Sequence, residues 1–299
     1  MKQLHFFQLQ KNNNLFLDKQ LISFNVGLKN LKIIDNYVKK LFELNENRKF
    51  KSLHEVQRLL NTTSYYKLNK DLNIMTRLES CILKCLKKKI LNKSIIGIEF
   101  PINVRIVHPS IPNQIKKRYS TTSIHCDPWA GEPDDMINVI INLIINKKTS
   151  KIKIVKTTNK EAKLYKKLSK TYKKKDFLNS KKYFKELRKL EEKDTYNIKD
   201  IPGQTFVFGG FLPHYTYNKG NEVRLGLEFR LRTKDPFSTL TRWKSRLNRS
   251  GRYWYLPNKN HQDFKSKIND EFSMIKRKSK KKLFLHLRKQ EIKELNYKL

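Results

Sequence analysis

The residues best suited to chemistry lie between Thr121 and Asp135, TTSIHCDPWAGEPDD, and centre on His125-Cys126-Asp127. On an extended strand, alternate side chains share a face. His125 and Asp127 would then project together and Cys126 to the other side. An imidazole and a carboxylate converging on one point supply two of the three ligands of a 2-His-1-carboxylate triad, the arrangement that holds non-haem Fe(II) and leaves coordination positions open. An isolated H-x-D pair is most often ordinary surface polarity, so the weight of this one depends on the residues downstream.

Two later stretches have the right character. Met136 to Ile145, MINVIINLII, reads as an apolar strand whose even positions carry Met136, Asn138, Ile140, Asn142 and Ile144. The two asparagines therefore share a face. Buried asparagines need hydrogen-bonding partners, which a polar ligand in a pocket would provide; the alternative is a face open to water. Further on, Gln204 to Phe208 reads as a strand after a Pro202-Gly203 turn, Gly209-Gly210 permits close backbone approach, and His214 comes next. A polar turn at Asn218 to Asn221 leads into Glu222 to Arg232. There Val223, Leu225, Leu227 and Phe229 alternate with Arg224, Gly226, Glu228 and Arg230. Arginines projecting into a pocket suit fork-like binding of a carboxylate. A hairpin joining the His214 strand to the Arg224 strand would set both on one side of a sheet.

These elements need a frame. Residues 1 to 92 read mainly as helix, with Leu28, Leu31, Ile34, Val38, Leu41 and Phe42 at helical spacing, and again Leu72, Met75, Leu78, Ile82, Cys85 and Leu86. Asn69 or Asp71 is placed to cap the second run. Residues 93 to 234 form the expected core. It opens with the β-branched stretch Ser94 to Val107, which Pro101 interrupts. His108 ends that stretch as a further possible ligand, with no carboxylate two residues on. A basic helical insert is expected over about 159–193, placed as a lid or a solvated surface. Residues 235 to 299 form a basic, largely helical extension whose Trp243, Tyr253, Trp254 and Tyr255 could stack on a sugar or base or simply pack on the sheet.

Composition narrows the class. With 299 residues, 38% hydrophobic and 11% aromatic, the chain can bury a proper core. Its 66 Lys+Arg against 27 Asp+Glu give a formal charge of +39. That excess suits a polyanionic partner, yet a chain so rich in Lys, Asn and Ile also fits an AT-rich coding sequence, and no aromatic-interleaved RNA-binding motif accompanies it. Nucleic acid is therefore a possible partner rather than the favoured one. The three cysteines, Cys81, Cys85 and Cys126, neither form a disulfide framework nor take zinc-site spacing, so a reducing cytoplasm is expected. No run is long and apolar enough for a membrane span, and no secretory signal is expected at the N-terminus.

Taken together, HCD at 125–127, INVIINLI at 137–144, GQTFVFGG at 203–210, His214 and Arg224 resemble, in order and spacing, the Fe(II)- and 2-oxoglutarate-dependent dioxygenases. The likeness is nearest to their small-molecule hydroxylases of the phytanoyl-CoA and streptomycin-biosynthesis-like branches. It covers about residues 94–234. The resemblance implies a mostly β core with flanking helices, folded as a double-stranded β-helix, a cupin-like jelly roll. It implies Fe(II) held by His125, Asp127 and His214, and 2-oxoglutarate held by Arg224 with Asn138 beside it. It also implies hydroxylation of a small molecule, with dioxygen consumed and succinate released.

Overall fold

The computed structural model describes residues 21–63, 66–69, 71–87, 97–99, 102–109, 124–127, 136–146, 150–158, 160–161, 189–190, 193–232 and 253–255. Along the chain these form β1 (Leu21–Asn25), α1 (Leu28–Glu46), α2 (Leu53–Asn61), α3 (Leu72–Lys87), β2 (Gly97–Glu99) and β3 (Asn103–Val107). Beyond them come β4 (Met136–Ile144), β5 (Ser150–Ile154), β6 (Gln204–Gly209), β7 (His214–Asn218), β8 (Arg224–Arg232) and β9 (Tyr253–Tyr255). The larger sheet has seven strands in the order β1-β6-β4-β8-β2-β9, with β3 also on β8, while β5 and β7 form a second, two-stranded sheet. Every pairing is antiparallel.

Alternation along β4, β6 and β8 separates two interiors. Ile137, Val139 and Ile141 of β4, Val207 of β6, and Leu225, Leu227, Phe229 and Leu231 of β8 point to one side. There they pack against Ile34, Val38 and Phe42 of α1, Val56 and Leu60 of α2, and Met75, Leu78 and Ile82 of α3. Burying each such side chain contributes roughly 1.5–3 kcal/mol, so this helical cover is the main hydrophobic anchor of the sheet. On the other side, Ile140, Phe206 and Phe208 meet Ile152 and Ile154 of β5 together with Leu212. β4 is therefore buried along its whole length, as its near-continuous apolar sequence requires.

Local chemistry sets the element ends. Asp71 caps α3, its Oδ1 accepting from the Ile74 N–H at 2.9 Å, which selects Asp71 over Asn69 as the cap. Gly27 begins α1 at φ 83, a left-handed conformation natural to glycine. Gly203, at φ 76, forms the expected turn after Pro202. Helix α2 also reaches the sheet: Gln57 Nε2 donates to the Val223 carbonyl at 2.7 Å, and the Val223 N–H donates to Asn61 Oδ1 at 2.6 Å.

The structure departs from two local expectations. Within the region expected to be mainly helical, which holds α1, α2 and α3, lies also the strand β1, which pairs with β6 from Leu21↔Phe208 to Asn25↔Gln204. A five-residue strand is too short to announce its period, and its partner lies far along the chain. Nor do β7 and β8 form a hairpin. They belong to different sheets, and the turn between them carries the chain from one to the other. Residues 128–135, nearly all of the basic insert expected at 159–193, and the extension at 235–299 apart from the backbone of β9 lie outside the described residues, as does Trp243. Among the described residues, no helix is long and apolar enough to cross a membrane.

Two measurements check this architecture. Gly226 lies on β8 where an added Cβ would come 3.0 Å from the backbone oxygen of Ile141 on β4. Gly226→Ala should cost about 1–3 kcal/mol in urea unfolding, because backbone cannot step aside as a side chain can. Asp35 on α1 has a buried Oδ1 without a hydrogen-bond partner, and burial raises its pKa from 3.8 to about 6 against a weaker opposing pull from His54. The folded state therefore holds this proton more tightly than the unfolded chain, and stability falls as pH rises between those two values. Asp35→Asn should raise the thermal midpoint at pH 7, and the gain should vanish below about pH 4.

Candidate metal centre

His125, Asp127 and His214 converge in the interior between the sheets, all three buried, with one ligand atom from each lying within 4.8 Å of the others. Backbone pairing brings them together. His125 and His214 form an antiparallel bridge, the His125 N–H donating to the His214 carbonyl at 3.0 Å and the His214 N–H to the His125 carbonyl at 2.9 Å. The Asp127 N–H donates to the Gly210 carbonyl at 3.2 Å, which ties the backbone of Asp127 to the Gly209-Gly210 segment. The bridge sets the two imidazoles side by side, their planes tilted by 52° and ring centroids 4.4 Å apart. His125 Nε2 lies 3.5 Å from Asp127 Oδ1. Cys126 projects the other way, its Sγ donating to the Phe211 carbonyl at 3.3 Å. The alternation expected of residues 125–127 thus holds, although the regular pairing described here is the single bridge at His125.

The electrostatics suit a divalent cation. His214 Nδ1 lies 2.9 Å from the Leu212 carbonyl. A carbonyl only accepts, so Nδ1 carries the proton and Nε2 keeps its lone pair. Burial, reinforced by His125, lowers the His214 pKa to about 4, keeping the ring neutral as a metal ligand must be. Burial would raise Asp127, but Arg230 and the two histidines outweigh it and hold the carboxyl well below its ordinary range. Asp127 Oδ2 is buried with no hydrogen-bond partner. An ionised oxygen left in that state is costly, and a cation would satisfy it.

Next to the triad, the polar face of β8 meets the asparagine face of β4. Arg224, 4% exposed, donates from Nη2 to Asn142 Oδ1 at 2.9 Å, and its Nε has no partner. Burial lowers its pKa to about 10, with Asp200 acting in the opposite sense, so the guanidinium remains a cation at neutral pH. Asn138 is 1% exposed, and neither end of its amide has a partner. The reading of a strand face open to water therefore fails. Both asparagines are buried, and the donor, acceptor and guanidinium surfaces left unmet form a cradle for a polar anion. His108 is not part of the converging group; its pKa is lowered by burial.

Two residues at this site have roles that the sequence does not assign. Strand alternation places Arg230 on the face of Arg224 and says no more of it, and Glu99 stands out only as an acid inside an otherwise apolar stretch. In the fold, Arg230 Nη1 lies 3.1 Å from Glu99 Oε2 and 3.3 Å from Glu99 Oε1. Its Nη2 lies 3.3 Å from Glu228 Oε1 and 3.5 Å from Asp127 Oδ1.

No family model matches the chain, and no curated protein matches it. Among solved structures, it is similar to the non-haem α-ketoglutarate-dependent carbocyclase SnoK from nogalamycin biosynthesis, at 9% identity and a TM-score of 0.46 over 78% of this chain and 85% of that one. It is also similar to the Kdo hydroxylase KdoO in complex with α-ketoglutarate and Fe(III), at 14% identity and a TM-score of 0.38 over 83% and 93%. A Pseudomonas putida prolyl-4-hydroxylase matches at 11% identity and a TM-score of 0.34 over 79% and 99%. At such scores the chemistry has to be argued from this chain's own residues.

Removing one converging donor should leave too few ligands for tight binding. His214→Leu is expected to weaken Co(II) binding by more than about 100-fold in calorimetric titration, since even outer partners of a metal ligand are worth 10- to 100-fold. Circular dichroism of the metal-free variant should match the wild type.

Proposed function

We propose that the chain is an Fe(II)- and 2-oxoglutarate-dependent oxygenase, built on a double-stranded β-helix, that hydroxylates a small molecule. The observation that carries this reading is the buried group of His125, Asp127 and His214, together with a second buried polar group in which Arg224 bonds Asn142 and keeps unmet hydrogen-bonding capacity. Two imidazoles and one carboxylate form the donor set of the facial triad. The orphaned Asp127 oxygen and the fixed His214 tautomer fit a divalent ion.

Within this proposal, His125, Asp127 and His214 hold the metal. Arg224 pairs with the distal carboxylate of 2-oxoglutarate, and Asn138 hydrogen-bonds the co-substrate. When bound, the metal supplies the redox centre for decarboxylating 2-oxoglutarate to succinate and activating dioxygen against a C–H bond. Phe208, whose ring stands edge-on to His214 with centroids 4.9 Å apart, and its neighbours Ile140 and Leu212 keep bulk water from that side of the ligands. Asp127 occupies the position a halide would need, which favours hydroxylation over halogenation. The 93–234 span serves as the catalytic core, the N-terminal helices as its cover, and the basic insert and extension as additions to it. The protein is read as cytoplasmic.

The formal charge of +39 favours a second reading, in which the same chemistry acts on nucleic acid. DNA or RNA binding that falls steeply with salt would select it, and no binding at physiological salt would exclude it.

Anaerobic titration with Fe(II) and then 2-oxoglutarate tests the main proposal. A visible charge-transfer band should need both additions and weaken in Arg224→Ala. In air, Asp127→Ala should abolish succinate release. Absence of the band in the wild type, or an undiminished rate in Asp127→Ala, overturns the assignment.

A further inference from the structure

We infer that Glu99 and Arg230 form a positioning couple for the metal ligand Asp127: Arg230 orients the carboxylate, and Glu99 absorbs the arginine's charge so that Asp127 keeps its own for the cation. The inference rests on the metal site proposed above but concerns residues that the ligand set does not include.

The guanidinium of Arg230 is divided between two duties. Nη1 faces both oxygens of Glu99, at 3.1 and 3.3 Å, and Nη2 reaches Glu228 at 3.3 Å and Asp127 at 3.5 Å. Glu99 is fully buried and Arg230 is 8% exposed, so neither is a surface ion-pair member exchanging partners with water. Glu99 is itself held, accepting from Asn103 Nδ2 at 3.1 Å. The second acid, Glu228, has its own cation, with Arg105 Nε 3.0 Å from Oε2.

The formal charges of the two arginines and two glutamates sum to zero, so Asp127 gives the group of five one net negative charge. Arg230 also attracts Asp127, and an arginine beside a metal-binding carboxylate would ordinarily compete with the metal. Here the shorter contacts of the guanidinium go to Glu99 and Glu228, which share its charge, and its planar fork is held at one end by a buried acid while touching Asp127 at the other. The couple also comes from two neighbouring strands. β2 pairs with β8 through Ile98↔Leu231, the residues directly adjoining Glu99 and Arg230, so the sheet holds the fork in place.

The test is Co(II) titration monitored by the metal's ligand-field absorption, which reports affinity and ligand geometry without turnover, alongside thermal unfolding of the metal-free proteins. Arg230→Gln and Glu99→Gln should each weaken Co(II) binding by about 10- to 100-fold and alter the bands, the range typical of lost outer-shell partners. Arg230→Lys keeps the buried charge but not the two-armed fork, and should show a smaller loss with altered bands. Should Arg230→Gln fail to fold, Arg230→Lys and Glu99→Gln decide the matter. Wild-type affinity and spectra in the folded variants, even with lowered thermal midpoints, would show a merely structural role and overturn the inference while leaving the metal site intact. Failure of the wild type to bind Co(II) would overturn the metal site and the couple with it.

Discussion

The pair of backbone hydrogen bonds exchanged by His125 and His214 is the constraint on which the site depends. Two imidazoles far apart in sequence become neighbours because their main chains are paired, before any side-chain preference operates. The Asp127 N–H on the Gly210 carbonyl continues the same zipper. Backbone pairing supplies convergence cheaply, since these groups must be hydrogen-bonded wherever they are buried. The side chains then inherit a geometry that their own mutual attraction, discounted by burial, would not secure.

The space between the sheets is unusually polar for an interior, and its polar groups divide into two kinds. Glu99, Glu228, Arg105 and Arg230 pair their charges with one another, and Arg230 also reaches Asp127. Asp127 Oδ2, Arg224 Nε, Arg230 Nε and the Asn138 amide have no hydrogen-bond partner. Leaving several buried polar atoms unmet costs about 1–3 kcal/mol apiece, a load the helical cover can sustain through the hydrophobic cluster on the opposite face. Apolar burial on one side of β4 and β8 thereby maintains an unsatisfied site on the other.

Much of this is legible in the sequence. The continuous apolar run of β4, the strict alternation of β8 and the order H-x-D, His, Arg place the central strands, the converging His125, Asp127 and His214, and the two asparagines on one face of β4. What escapes reading is long-range. Leu21–Asn25 gains strand character only by pairing with Gln204–Phe208. Glu99 gains meaning only from Arg230, and the apparent hairpin at 214–232 is divided between sheets. Each miss concerns a partner distant in sequence, where local periodicity carries no information.

Helix α2 illustrates what such distant wiring entails. Gln57 and Asn61, one turn apart, grip both backbone groups of Val223, the residue immediately before Arg224. A helix that otherwise resembles outer padding therefore sets where the arginine-bearing strand begins. A shift in this remote layer would be felt first at Arg224 and at its bond to Asn142, so the periphery and the buried polar face of this protein are mechanically one unit.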